Sequence, residues 1–134
     1  MSTILLSIKP EYVSKILEGT KKYEFRRTLA QEKVSKILIY STAPIMKVVG
    51  EAEVIDTLSM CPSPLWDTTK KYAGISRANY RNYFKNQPIA HAYKLGKVIR
   101  YPVPKDLSSY GIVHPPQSFI YISHSNNESK ESQV

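Results

Sequence analysis

The nine residues Gly19-Thr20-Lys21-Lys22-Tyr23-Glu24-Phe25-Arg26-Arg27 decide how the rest of the chain is read. They place four cations and one carboxylate in a segment that follows a helical pattern and has the length of a short strand. Side chains alternate across a strand, so Lys22, Glu24 and Arg26 would share one face. Tyr23 and Phe25 would point the other way, and two aromatics supply a core anchor. The charged face has two readings. One is a solvated strand face whose charges discourage edge pairing. The other is a small anion site with an internal counter-charge.

The flanking sequence gives this segment its setting. Residues 3–8 read as a buried strand. Pro10 suits the first turn of a helix, Tyr12, Val13, Ile16 and Leu17 recur at helical spacing, and Gly19 suits the stop. Residues 28–35 are a polar connection, and 37–40 form a buried strand broken by Ser41-Thr42-Ala43-Pro44. Residues 47–58 are a longer strand whose alternation fails near Gly50, which predicts a bulge there. Ser63 is placed to cap a helix beginning at Pro64, with Leu65, Trp66, Thr69 and Tyr72 as a partly apolar stripe and Gly74 as its end. Ser76 caps a second helix carrying Tyr80, Tyr83 and Phe84. Strands follow at 89–93 and 98–101, then a loop over 102–109 and a last strand at 119–122. Residues 123–134 form a polar tail without hydrophobic pattern, expected to be disordered. Short strands with helices inserted between them indicate an α+β, barrel-like domain.

At 134 residues the chain is one domain, able to bury about two thirds of its unfolded surface. Its net charge of +8 argues for an anionic partner. The excess is concentrated early: Lys9, Lys15, Lys21, Lys22, Arg26, Arg27, Lys33, Lys36 and Lys47 face only Glu11, Glu18, Glu24 and Glu32. The single cysteine, Cys61, cannot form an internal disulfide. With no leader pattern and no apolar run of membrane-spanning length, the expectation is a cytoplasmic protein with no membrane partner. His91, His114 and His124 lack the spacing of a metal site, and there is no glycine-rich phosphate loop. Neither metal nor cofactor is expected.

The run Leu6-Ser7-Ile8-Lys9-Pro10-Glu11-Tyr12-Val13-Ser14-Lys15-Ile16-Leu17-Glu18-Gly19, leading into Lys21, Glu24 and Arg26, resembles the ASCH domain family, a branch of the PUA-like superfamily. The family signature Gly-x-Lys-x-x-Glu-x-Arg is met by Gly19, Lys21, Glu24 and Arg26. Residues 36–41 (KILIYS) are similar to the family's central strand and 48–55 (VVGEAEVI) to the strand after it. Pro115-Pro116-Gln117-Ser118-Phe119 matches the closing motif of a subgroup catalogued as predicted transcriptional regulators. The resemblance spans residues 3–122. It implies a PUA-like mixed β-barrel with a helix after the first strand, a helical pair inserted before the later strands, and a cleft beside the first helix.

In such a cleft, Lys9, Lys21, Lys22 and Arg26 would hold an anion. Arg26 offers a fork of donors and Lys21 a mobile point charge. Glu24 would orient a cation or accept from a base amino group, unless it and Arg26 form a structural ion pair. Tyr40 and Ser41 would add a stacking face and a hydroxyl. Gln117 and Ser118 suit the reading of a base edge, or turn chemistry after the two prolines. Tyr12, Tyr40 and Tyr110 would stack bases if they line the cleft. The expected ligand is RNA, or a nucleotide or modified nucleoside, with the oligomeric state open.

Two rivals follow. Some ASCH proteins are amidohydrolases acting on an acylated cytidine through a lysine, a threonine and a glutamate. Lys21 matches the lysine, but Glu24 stands at the threonine position, and a carboxylate replaces a hydroxyl nucleophile poorly. Others are linked to RNA cleavage, where Lys21 and Glu24 would be acid and base and Arg26 would stabilise the phosphorane. The second rival is a DNA-binding regulator. The helices around Ala73-Gly74-Ile75 resemble a helix-turn-helix whose second member, 76–85, exposes Arg77, Asn79, Arg81, Asn82 and Lys85. The competing reading is a helical pair covering a barrel edge, with Trp66, Tyr72, Tyr80 and Tyr83 packed inward.

Overall fold

Strands β1 (Ser2–Ile8) and β3 (Val34–Ser41) run side by side in parallel, and both are apolar on both faces. That pattern requires cover on each side of the sheet. In a computed structural model that describes residues 1–123, the cover comes from two layers. On one face Ile4, Leu6 and Ile8 meet Ile37 and Ile39, Val13 and Ile16 of helix α1 (Pro10–Glu18), and Tyr93 and Leu95. On the other, Leu5, Leu38, Tyr40 and Val48 lie under Leu107, Tyr110 and Ile112. The expected tail falls outside the described residues from position 124 onward.

The remaining elements are β2 (Tyr23–Arg26), β4 (Lys47–Met60), α2 (Pro62–Thr69), α3 (Arg77–Tyr83), β5 (Ala90–Lys105) and β6 (Phe119–Ile122). They complete one six-stranded sheet in the order β2-β5-β4-β3-β1-β6, in which only β1 and β3 are parallel. Helices α2 and α3 cap the β2 end through Phe25, Leu65, Ala73, Tyr80, Phe84, Ala90 and Ala92. Phe25 meets Tyr80 edge-on at 5.1 Å between ring centres. No helix among the described residues is long and apolar enough to cross a membrane.

The α+β class holds, but the expected barrel is an open sheet: β2 and β6 end it and do not pair with one another. Each end strand has four residues and pairs on one side only, β2 with β5 and β6 with β1. The bulge foreseen near Gly50 is present. Ile39 faces Gly50 while Tyr40 faces Val48, leaving Val49 as the extra residue. A Cβ on Gly50 would lie 2.5 Å from the Ile99 carbonyl oxygen, so the close approach of β5 requires glycine.

Other expectations change. The segments read as two strands, with the first half of the loop expected over 102–109, are one 16-residue strand, β5, running through Gly96 and Pro102; a short helical turn, Leu107–Tyr110, follows it. Pro102 and Pro104 lie where β5 pairs with β4 alone, so the missing N–H donors break no second ladder. Helix α2 starts at Pro62 rather than Pro64, with Cys61 as N-cap and no side-chain cap bond. Proline is preorganised for the first helical position and displaces the start from Ser63. The Ser76 cap forms as expected, its hydroxyl accepting from the Asn79 N–H at 3.1 Å. Trp66, Tyr80 and Tyr83 pack inward, whereas Tyr72 is 37% exposed.

Candidate functional site

Gly19 ends α1 in the left-handed conformation, φ +88°, which only glycine adopts cheaply. The chain then drops Lys21 between α1 and the turn joining the helical pair. Its ammonium group donates to the Ala73 carbonyl at 2.7 Å and lies 3.9 Å from Glu24 Oε1. The Tyr12 and Phe25 rings flank it at 5.1 and 4.9 Å. Lys15 reaches the next carbonyl, Gly74, at 3.4 Å. Lys21 is only 3% exposed, and burial brings its pKa down to about 8, against the pull of Glu24 in the other direction. It is a fixed, buried cation and not the mobile point charge expected of it.

Glu24 is likewise buried. Its Oε2 accepts from Arg26 Nε at 3.1 Å and Nη2 at 2.5 Å. The same guanidinium donates to the Ser7 carbonyl at 3.0 Å and approaches the Ser118 hydroxyl at 3.4 Å. Ser7 belongs to β1 and Ser118 precedes β6, so Arg26 on β2 links the two ends of the open sheet. The segment before β6 is fixed further by Ser7 Oγ donating to the Pro116 carbonyl at 2.7 Å and Ser7 N–H donating to Ser118 O at 3.0 Å.

These groups lie in a cleft of about 1050 Å³. Of the residues singled out from sequence, Lys9, Lys21, Glu24, Arg26, Tyr40, Gln117 and Ser118 line it. Lys9 and Gln117 are exposed at its rim, while Tyr40 is 2% exposed. Lys22 and Ser41 do not line it. Lys22 lies one residue before β2 begins, and its backbone bonds to Tyr72 and Leu95 turn its side chain onto the Tyr72 ring, at 4.3 Å. Ser41 is buried at the end of β3, on the side away from its neighbour Tyr40. Tyr12 lines the cleft; Tyr110 packs instead in the cluster with Leu5 and Val48.

Further lining residues include Glu11, Arg27, Thr28, Asn79, Asn82 and Tyr83. Arg27 Nε donates to the Tyr83 carbonyl at 2.9 Å, and its guanidinium lies 4.3 Å from the Tyr83 ring centre. Asn79 and Asn82 stand three apart on α3, a spacing that signals a shared side, but only docking of α3 shows that this side faces the cleft. Burial and the Glu11 carboxylate raise the Tyr12 phenol above its ordinary pKa, opposed by a hydrogen bond with Asn79. Chemically, the cleft combines a largely buried Lys–Glu–Arg chain, two cations on one carboxylate, with exposed cations and aromatic rings. Among the described residues, no three His, Cys, Asp or Glu side chains are grouped to hold a metal.

A family model described as the ASCH domain matches residues 6–99. The chain is 31% identical over 121 residues to ATP synthase subunit alpha of Ureaplasma parvum, covering 90% of this chain and 15% of that one. It is 33% identical over 92 residues to an ASCH domain-containing ribonuclease of Zymomonas mobilis, covering 68% of this chain and 62% of that one. The chain thus spans less than two thirds of the length of these curated relatives. A crystal structure of ASCH from Zymomonas mobilis superposes with a TM-score of 0.86 at 27% identity, covering 98% of this chain and 94% of that one.

Proposed function

The chain belongs to the ASCH domain family, and on that premise we propose that its cleft binds RNA. One observation carries the reading. Four cations, Lys9, Lys21, Arg26 and Arg27, line the cleft against two acids, Glu11 and Glu24; Glu24 is already compensated by Lys21 and Arg26, and the exposed Lys9 and Arg27 make no ion pair with a carboxylate among the described residues. A cleft with unspent positive charge beside Tyr12, and with Arg27 stacked on Tyr83, suits phosphates flanked by bases. The ribonuclease among its relatives supports an RNA ligand. Gln117 and Asn82 are exposed amides that both line the cleft, suited to base edges. A nucleotide or modified nucleoside would use the same contacts. The exposed thiol of Cys61 suits a reducing, cytoplasmic setting.

Fluorescence anisotropy with labelled single-stranded RNA tests the proposal. Lys9→Ala and Arg27→Ala should each weaken binding several-fold and flatten the salt dependence by roughly 0.7 per lost phosphate contact. Unchanged affinity in both variants would refute the cleft as the binding surface.

A second reading, RNA hydrolysis, is favoured by the depressed pKa of Lys21, since a lysine near pH 8 can exchange a proton at working pH. In it, Lys21 or Glu24 takes the 2′-hydroxyl proton, the 2′-oxygen attacks phosphorus to form the cyclic phosphate as the bond to the 5′-oxygen breaks, and the residue that took the proton returns it to that departing oxygen, while Arg26 balances the added charge. The 3% exposure of Lys21 weighs against direct contact without movement. Turnover that rises through about pH 8 and vanishes in Lys21→Met, with RNA still bound, would establish it. Hydrolysis of an acylated cytidine has less support: Glu24 is held by Arg26, and the one threonine of the signature region that lines the cleft, Thr28, is not at the matching position. A DNA-reading role for α3 is weakened because Asn79 and Asn82 face the cleft rather than standing with Arg77 and Arg81.

A further inference from the structure

Helix α3 is a ridge between two hollows. Asn79, Asn82 and Tyr83 look into the cleft. On the far side lies a second pocket of about 300 Å³, lined by Trp66, Tyr80, Phe84, Arg77 and Arg81 among others. Arg77 and Arg81 are one helical turn apart, so their guanidinium groups share a face. Both are exposed, and neither has an ion pair or side-chain hydrogen bond among the described residues. The neighbouring acid on α2, Asp67, is taken by Lys70. Two like charges at this spacing disfavour a helix slightly, and nothing within the fold relieves them.

The pocket's floor is aromatic and fixed. Tyr80 is 2% exposed, and its hydroxyl donates to the Pro62 carbonyl at 2.7 Å. The half-buried Trp66 ring lies 4.9 Å from it, centre to centre. A rigid indole beside two unpaired guanidinium groups has the chemistry of a nucleotide subsite, with a base on the ring and a phosphate on the arginines. A strand lying in the cleft and continuing past Asn79 meets this pocket on crossing the helix.

We infer that the Trp66–Arg77–Arg81 pocket is a second nucleotide subsite, occupied by single-stranded RNA that leaves the cleft over α3. The inference rests on the cleft binding RNA, and it specifies a polymer as the ligand. A monomer fills the cleft and leaves this pocket empty.

The test compares wild type, Arg77→Ala/Arg81→Ala and the cleft variant Arg27→Ala, each titrated with a trinucleotide and with single-stranded RNA of about twelve nucleotides across a salt series. The exposed arginines can be removed without disturbing the core. The double variant should bind the longer RNA about tenfold more weakly, with a salt slope shallower by about 1.4, and bind the trinucleotide as wild type does. Arg27→Ala should weaken both. Trp66 is the sole tryptophan, so its fluorescence reports the pocket directly. It should be quenched by the longer RNA and not by the trinucleotide. If wild type binds neither RNA, the cleft reading fails and takes this one with it. If Arg27→Ala weakens binding while the double variant and Trp66 emission do not respond, the cleft stands and the second subsite is overturned. Loss of duplex DNA binding alone in the double variant would overturn it in favour of DNA recognition.

Discussion

Lys21 draws its environment from three separate parts of the chain: Tyr12, the Phe25–Glu24 strand and the Ala73 carbonyl. Its protonation therefore reports on the fold. Its pKa is about 8 in the folded chain against 10.5 for the free group. Between those values the unfolded chain holds a proton that the folded chain has released, so stability rises with pH across this window and the penalty is full below it. Relative to Lys21→Met, wild type should gain on the order of 3 kcal/mol between about pH 8 and 10.5 in urea unfolding. A parallel pH profile for the two proteins would show that Lys21 is not desolvated. Gly74 is a second sensitive position. It has φ +63°, and an added Cβ would fall 2.4 Å from Lys21 Cβ. Gly74→Ala should cost roughly 2–5 kcal/mol, the sum of backbone strain and overpacking, read from the shift in urea midpoint.

Among the elements, β2 has the largest role for its size. It has four residues and sits at the sheet's end, yet through Arg26 it grips β1 and the segment entering β6. The bidentate fork is what allows one side chain to serve Glu24 and Ser7 together. Arg26→Lys keeps the charge and loses the fork. Amides of Phe119–Ile122 should then exchange about tenfold faster, while those in the middle of β3 change little. Equal acceleration throughout would indicate global destabilisation instead of a loosened seam. The long strand β5 was harder to see in sequence because Gly96 and Pro102 are local breakers. Pairing with β4 along its length overrides them, and Gly96 is needed there: a Cβ would meet Ile55 Cγ2 at 2.7 Å.

For the chain as a whole, the charge of +8 is the property that acts at a distance. On the proposed RNA-binding reading, it should speed encounter with RNA and make affinity strongly dependent on ionic strength. With about four phosphate contacts from Lys9, Arg27, Arg77 and Arg81, log affinity against log salt should have a slope of about −3 for single-stranded RNA. A slope near zero would mean that the basic surface takes no part in binding. The open sheet matters here too. Its two ends come together at the cleft, joined by a guanidinium rather than by a ladder, so the site is assembled from both ends of the domain.

The periodicity of residues 10–18, the left-handed stop at Gly19, the bulge beside Gly50 and the Ser76 cap were all legible because each depends on dihedral preferences of a few adjacent residues. Lys21, Glu24 and Arg26 could be placed near one another for the same reason: they lie within six positions on the chain. What surrounds them could not be read. The carbonyl that holds Lys21 is 52 residues away, and the hydroxyl beside Arg26 is 92 residues away. The same distance in sequence hides why Lys22 leaves the site for Tyr72, and why Asn79 and Asn82 enter it. Local spacing sets which way a side chain leaves the backbone. Burial, charge compensation and the shape of a hollow are set by which remote segments pack against it, and those contacts exist only once the sheet has curled and the helical pair has docked.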